Sequence, residues 1–503
     1  MELLHNLYLG FNVAFAPVNL LFCFIGVFLG TLVGVLPGLG PAATIALLLP
    51  ITFSLRPETA LIMIAGIYYG AQYGGSTTSI LVNIPGEASS VVTCLDGYQM
   101  ARKGRAGPAL GISAFGSFIG GTLSVVGLML LGPWLAGFAL QFGPPEYFAL
   151  MLLGIVILTF LSKGSMVRSL ISAVIGLFIG TIGIDPIYGV QRFTYGTLTL
   201  MDGVGLVPVA MGLFGIAEVF TNLEEPEVRD IFKTKIKGLL PSLKDWKESI
   251  GPITRGSFIG FFLGILPGGG AILASFTSYA TEKRLARDPE SFGKGAIAGV
   301  AGPETANNAA TGGAMIPLLS LGIPSNVIMA LLIGAMMIHG IKPSSFLVNE
   351  HPQIFWGIIT SMYVGNILLL VLNLPLIPLW VKLLKIPYGI LFPLILLFCL
   401  IGVYTVNNNA YEVLIMLIFG VLGYLMRKVG FEPAPLLFAM VIGPIMETAL
   451  RQSLLRSRGD FSIFFTRPIS AVLISAAILL LLLPLLPRVG RQRETIVKEA
   501  SDE

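Results

Sequence analysis

Near-continuous apolar runs of membrane-spanning length recur along this chain, at 18–36, 109–131, 146–162, 203–221, 354–373, 410–426 and 468–487. About 20 apolar residues match the hydrocarbon thickness of a bilayer. In lipid every backbone donor and acceptor must be paired internally, which leaves helices or closed barrels. A barrel would need short alternating strands instead. Of the 503 residues, 55% are hydrophobic and only 12% charged, far less charge than a soluble domain carries. The expected fold is an all-α polytopic membrane protein of about 12 transmembrane segments, several of them broken by Gly and Pro. The first 17 residues hold no Lys or Arg, so the basic start of a secretory signal is missing. Val18 to Leu36 is therefore expected as a retained first helix.

Composition also removes several kinds of chemistry. The net charge of +4 is scattered through loops, a pattern that gives no footing for nucleic acid. Cys23, Cys94 and Cys399 are far apart in sequence and offer neither a disulfide framework nor metal-ligand spacing. With three histidines and no HExxH, a zinc site is not expected, and neither a metal nor a cofactor is assigned. The nearest approach to a nucleotide-binding loop is SFGKGA at 291–296, which lacks the required pattern. Uphill transport would draw on an ion gradient or on another subunit.

One clearly polar segment, 221–249, divides the chain into halves, and each half opens with the same motif. GVLPGLGPAATIALLLP from Gly34 is echoed by GILPGGGAILASF from Gly264. Further on, Gly74, Gly75 and NIPGEAS at 83–89 align with Gly312, Gly313 and GIPSNVI at 322–328. Two ordered matches, at offsets of 230 and 239, argue for internal duplication. Basic residues of short loops favour the cytoplasm. After the first motif they are Arg56 alone in one half but Lys283, Arg284, Arg287 and Lys294 in the other. After the second motif the imbalance reverses, with Arg102, Lys103 and Arg105 against Lys342. Equivalent loops thus prefer opposite sides, as inverted repeats of secondary transporters do. The expected organisation is an N-terminal repeat at 18–220, a cytoplasmic linker at 221–249, a second repeat core at 250–350, C-terminal helices at 351–487 and a polar tail at 488–503. The C-terminal third resists this reading, because the 451–467 loop and the tail beyond Pro487 are both basic although one span separates them.

The paired motifs read as helix breaks near the bilayer midplane. Proline ends a helix. Pro37 and Pro267 are placed to do so, and Gly38, Gly40, Gly268 and Gly270 are expected to allow a tight turn with positive φ. The N–H groups at the next helix start, at the positive end of its dipole, suit an anion. Pro85 and Pro324 are likewise expected to begin helices, with Gly86 or Ser325 just inside and Asn326 following. Oxygen-rich residues gather nearby: Ser76, Thr77, Thr78, Ser79 and Asn83 in one half, Glu304, Thr305, Asn307, Asn308 and Thr311 in the other. Unwound carbonyls and such side chains can hold Na⁺, placed here near Asn83, Asn307 and Asn308. Against this stands packing: small residues serve close helix contact, and a single hydroxyl commonly bonds its own helix. Four matched breaks with polar clusters favour a binding role. Among acids, Glu87, Glu304 and Glu447 lie in or beside apolar runs, where unpaired charge is costly enough to suggest function. Glu218 and Glu412 are expected to be solvated at segment ends, and Arg451 is either a counter-ion for Glu447 or an interfacial anchor.

Together GVLPGLGPAATIALLLP, YYGAQYGGSTTSILVNIPGEASS, AGPETANNAATGGAMIPLLSLGIPS and IGPIMETALRQSL resemble the large membrane subunit of tripartite tricarboxylate transporters, over about 18–487. The NNN at 407–409 matches no role in that family. The resemblance implies a multi-pass protein of the bacterial inner membrane that imports citrate-like carboxylates by Na⁺ or H⁺ symport. Its implied partners are a small membrane subunit of about four helices and a periplasmic solute-binding protein. On the matching motifs it implicates Gly38, Gly40, Asn83, Pro85, Glu304, Asn307, Asn308 and Ser325. A stand-alone carboxylate transporter or channel is the rival reading. An intramembrane enzyme is disfavoured, since no Ser/His pair, paired membrane aspartates or metal ligands are evident. The basic-residue asymmetry places 102–105, 221–249 and 282–294 in the cytoplasm and the loops at Arg56 and Lys342 outside. Single cysteines labelled from outside intact cells should react at position 56 and not at position 103; equal labelling would dismiss the inverted arrangement.

Overall fold

A computed structural model describes residues 2–36, 40–161, 165–185, 187–224, 238–266, 268, 270–383 and 388–483. Helices dominate, beginning with α1 (Glu2–Ala14), α2 (Pro17–Val35), α3 (Pro41–Thr52) and α4 (Pro57–Val82). A helical segment over 88–102 leads to α5 (Ala106–Ala139), α6 (Pro144–Leu161) and α7 (Met166–Gly180). A small hairpin of β1 (Gly183–Ile184) and β2 (Gln191–Arg192) follows, then α8 (Leu206–Glu224). The second half contains α9 (Leu243–Ile265), α10 (Gly270–Leu285), α11 (Ala298–Leu321) and α12 (Val327–Ile338). Short four-residue helices aside, there follow α13 (Pro352–Asn373), α14 (Ile377–Leu383), α15 (Tyr388–Asn407), α16 (Ala410–Lys428), α17 (Pro433–Arg456) and α18 (Pro468–Leu482).

Among the described residues six helices, α2, α5, α8, α13, α16 and α17, are long and apolar enough to cross a membrane, and six shorter apolar helices accompany them. Their outer faces carry exposed Leu130 and Trp134, Val174 and Phe178, Ile418 and Val421, and Val472 and Leu479. So broad an apolar surface fits lipid rather than water. The chain is a multi-pass all-α membrane protein. Two refinements concern the ends of the expected segments. An additional helix, α1, precedes the expected first span and packs on α13. The 221–249 linker is shorter than its polarity suggests, because α8 runs to Glu224 and α9 starts at Leu243. Ser242 caps α9 by accepting from the Asp245 N–H, while Asp245 Oδ2 accepts from the Ser242 N–H at 2.9 Å. Reciprocal capping of this kind makes even a polar sequence begin a helix.

At the centre lie α4 and α11, buried over all of Thr59–Val82 and Gly299–Leu321. Neither is among the six apolar spans. A helix surrounded by protein can carry Gln, Asn, Ser and Glu that lipid would reject. Each is gripped by the helix before its break. A Cβ built on Gly26, Gly30 or Gly34 of α2 would lie 2.3, 2.5 or 2.2 Å from the carbonyl oxygens of Met63, Ile67 and Ala71 in α4. On Gly256, Gly260 and Gly264 of α9 it would lie 2.5, 2.1 or 2.3 Å from those of Gly302, Ala306 and Ala310 in α11. The glycines match at the 230-residue offset and their carbonyl partners at 239. Gly74 against the Thr31 carbonyl and Gly313 against the Phe261 carbonyl repeat the match from the other side. The duplication read from the motifs is thus also a duplication of contacts.

The repeats run in opposite directions. Gly97 touches Ile80 near the end of α4 and Val300 near the start of α11, so these helices are antiparallel. On one face Arg105 pairs with Asp245 and Lys103 reaches the Lys294 carbonyl; this is called the linker face below. At the far end α12 packs on α3, with His339 against the Thr52 carbonyl. The 102–105 loop therefore meets both the linker and the 286–297 loop, with which it is expected to share a side. The troublesome 451–467 loop also finds its account. Arg451 pairs with Asp185 at 2.6 Å and Glu447 at 3.0 Å, Arg192 pairs with Glu447 at 2.7 Å, and Arg467 pairs with Glu146. The Tyr188 N–H and the Arg451 guanidinium hold the Asp185 carboxyl down at about 2. Basic residues so neutralised carry little weight as topology signals.

These pairs correct part of the reading of the acids. Glu447 is an ion-pair partner rather than a lone intramembrane charge, and Arg451 is its counter-ion. Glu218 is partly exposed and pairs with Arg427. Glu412, expected to be solvated, is 6% exposed and accepts from Asn407. The 407–409 run is a helix junction: Asn408 is left-handed at φ 50 and Asn409 caps α16 through the Tyr411 N–H at 3.0 Å. Because added side chains would strike backbone, Gly30→Ala and Gly260→Ala should each destabilise the purified protein by about 1–3 kcal/mol. Gly137→Ala, where a Cβ meets nothing within 4 Å, should leave the thermal midpoint in detergent unchanged.

Candidate functional site

The first pair of breaks differs between the repeats in backbone sense. Gly38 and Pro37 lie outside the described residues, as does Pro267. Gly40 caps α3 at φ −69, ψ 163, an extended conformation open to any residue, so the expected positive φ is absent there. In the second repeat Gly268 and Gly270 do take positive φ, +80 and +48. Gly40 and Gly270 stand clear, with nothing within 4 Å of an added Cβ. Gly268 is enclosed: its N–H donates to the Ser325 carbonyl at 2.7 Å, and a Cβ would meet Leu158 Cα at 2.6 Å. The open helix starts are thus those of α3 and α10.

At the second pair, Asn83 and Gly322 end α4 and α11 in the left-handed region, at φ 59 and 71. Pro85 and Pro324 do not begin the next helices. The chain stays extended until a side chain can accept from the new helix, and that falls to Glu87 and Asn326, again equivalent residues. Glu87 Oε2 accepts from the Ser89 N–H at 3.0 Å and Asn326 Oδ1 from the Met329 N–H at 2.9 Å. Gly86 packs into the first break, where a Cβ would lie 1.9 Å from the Gly34 carbonyl oxygen. Ser325 is buried there too and donates to the Ala314 carbonyl at 3.2 Å.

Several expected oxygen ligands are used locally. Ser76 donates to the Tyr73 carbonyl and Thr311 to the Asn308 carbonyl, both at 2.7 Å, as hydroxyls in helices commonly do. Thr78 donates to the Val35 carbonyl at 2.8 Å, satisfying the broken end of α2. Thr77 is buried. Asn83 is exposed, whereas Asn307 and Asn308 are buried, so these three do not form one site.

What does converge is a network around Glu304, whose side chain has no access to solvent. Thr93 donates to Glu304 Oε1, and Asn307 Nδ2 donates to Oε2 at 3.3 Å. Asn308 Nδ2 lies 2.8 Å from Ser117 Oγ, 2.7 Å from Asn307 Oδ1 and 3.1 Å from the Glu304 carbonyl. Flipping the amide would oppose oxygen to oxygen, so the assigned orientation is the favourable one. Asn308 Oδ1 is then buried with no hydrogen-bond partner among the described residues. Buried polar atoms are normally satisfied, and an orphan acceptor in an acidic, amide-rich network is where a cation would gain a ligand. Beside it Ser89 Oγ sits between the Gln72 amide oxygen, at 2.7 Å, and Glu87. Asn326 Nδ2 reaches across the repeats to Tyr68 Oη at 3.2 Å.

Sequence reasoning missed Thr93, Ser117, Gln72, Ser89 and Tyr68. Ser89 and Thr93 extend the NIPGEAS motif at helical spacing, a usable signal. Ser117 is one small residue among many in α5 and gives none.

The sequence profile of the Tripartite tricarboxylate transporter TctA family matches residues 20–438. An "Uncharacterized 52.8 kDa protein in TAR-I ttuC' 3'region" of Agrobacterium vitis is 52% identical over 499 residues, 99% of each chain. An "Uncharacterized protein in TAR-II ttuC' 3'region" of the same organism is 51% identical over 240 residues, 48% of this chain and 99% of that one. No solved structure matches. With the profile spanning both repeats and most of the C-terminal helices, the chain belongs to the tripartite tricarboxylate transporter TctA family.

Proposed function

We propose that this protein is the large transmembrane subunit of a secondary transporter that imports carboxylates with a cation, Na⁺ or H⁺. In this reading it sits in a bacterial inner membrane, takes its solute from a periplasmic binding protein and works with a small membrane subunit. Family membership supports the transporter role. The observation that carries the mechanism is the network of Glu304, Asn307 and Asn308 beside the paired helix breaks, with one buried oxygen left over. A monovalent cation or a proton entering there would compensate the buried carboxylate. The carboxylate solute is assigned to the open starts of α3 and α10, where unpaired N–H groups and the helix dipole favour an anion. Filling both sites from one side and emptying them on the other constitutes symport.

Vesicles holding the full complex should take up labelled di- or tricarboxylates only under an imposed cation gradient; accumulation driven by ATP alone would overturn the reading. Asn308→Ala should raise the cation concentration for half-maximal uptake by about tenfold, equivalent to roughly 1.4 kcal/mol, with the complex still assembled. Gly40→Ala adds a methyl in free space at a permitted φ, so expression should stay normal while the solute half-saturation rises by a similar ~10-fold. Unchanged uptake in Gly40→Ala would move the solute away from α3. Gly268→Ala is a poor probe of binding, because its methyl strikes Leu158.

A further inference from the structure

The 88–102 segment runs from the second break of the first repeat to the linker face, and one side of it carries Ser89, Thr93 and Asp96 at helical spacing. Ser89 meets Gln72, Thr93 meets Glu304, and Asp96 meets the second repeat. Asp96 is fully buried without a basic partner in the structure's ion pairs among the described residues. Its Oδ1 accepts from the N–H groups of Gly295 and Ala296, both at 2.7 Å, and its Oδ2 from Tyr279 Oη at 3.0 Å. Close by, Ser278 Oγ is buried with no hydrogen-bond partner among the described residues and lies against Gly302. Thr93 at one end of this face thus bonds the Glu304 network, and Asp96, three residues on, bonds the loop at 286–297.

The second repeat lacks this column. At the 239-residue offset, Ser89, Ser90, Thr93 and Asp96 correspond to Ile328, Met329, Leu332 and Ala335 of α12, and Glu304 corresponds back to Ala65. In an inverted repeat the two segments line opposite approaches to one central site. All four of Thr93, Asp96, Leu332 and Ala335 are fully buried, but the first pair lines its approach with oxygens and the second with hydrocarbon.

We propose that the coupling cation passes between the Glu304 network and the linker face along Thr93, Asp96 and Tyr279, with Asp96 serving as a relay carboxylate that hands the cation on. The assignment rests on the symport reading above and adds to it a route and a direction. Two buried oxygens with no hydrogen-bond partner among the described residues, Asn308 Oδ1 at the inner end and Ser278 Oγ near the outer end, mark where the ion would be received. The hydrogen bonds from Gly295, Ala296 and Tyr279 fix both Asp96 carboxyl oxygens in place on that route.

Asp96→Asn separates relay from scaffold, since the amide oxygen still accepts from Gly295 and Ala296 and the amide group can reach Tyr279. The full complex should assemble in normal yield, while cation-driven net uptake falls by about tenfold or more. In parallel, single cysteines are placed at Thr93 and Leu332 in a background lacking Cys23, Cys94 and Cys399. A small cationic thiol reagent applied to vesicles of either orientation should modify position 93 from the linker face, more slowly at saturating cation. Position 332 should stay unmodified from both faces. Uptake by Asp96→Asn within about twofold of wild type, or equal modification at 93 and 332, would overturn the route. Wild-type uptake indifferent to cation would instead overturn the symport reading.

Discussion

The structure depends on one constraint: a backbone broken inside the bilayer must be enclosed by protein, because lipid supplies no hydrogen bonds. The chain meets it by bringing helices so close that glycine is the only residue that fits. Three glycines of α2 rest on carbonyls of α4, and three of α9 on carbonyls of α11. That contact brings the breaks together as well, with Gly86 lying on Gly34 and the Gly268 N–H bonded to Ser325. The Glu304 network and the open helix starts exist only because this frame holds unwound backbone in place.

Much of the frame was legible in sequence because its elements are local or repeated. Helix-length apolar runs, the paired Pro-Gly motifs and the opposite loop charges each follow from a short stretch read against a general rule. What escaped were features set by partners distant in sequence. The sequence LPGLGP does not distinguish Gly40, which is extended, from Gly270 in LPGGGA, which takes positive φ. The prolines at 85 and 324 signalled a break correctly but not the helix start, which waits for a capping side chain two residues later. The sidedness of the 451–467 loop stayed open because Asp185 and Glu146, which pair with Arg451 and Arg467, lie hundreds of residues away.

The site was half legible for the same reason. Glu304, Asn307 and Asn308 share one helix, so their polarity in an otherwise small-residue stretch stands out. Thr93 and Ser117 come from other elements and acquire meaning only through α11. Hydroxyls such as Ser76 and Thr311 show the opposite error: conspicuous in sequence, they are spent on their own helix. Duplication of the frame did not duplicate the chemistry. Where α11 offers Glu304, Asn307 and Asn308, the matching positions of α4 are Ala65, Tyr68 and Tyr69.

The offset between the halves widens from 230 to 239 between the first and second motifs, and the helices locate the change. The chain crosses from α3 to α4 through 53–56, but from α10 to α11 through 286–297. All the added length lies around that crossing and leaves the register of every glycine–carbonyl contact intact. The insertion is also what presents the Gly295 and Ala296 N–H groups to Asp96. A single lengthened crossing therefore makes two halves that share one packing frame unequal at one end, without disturbing the frame itself.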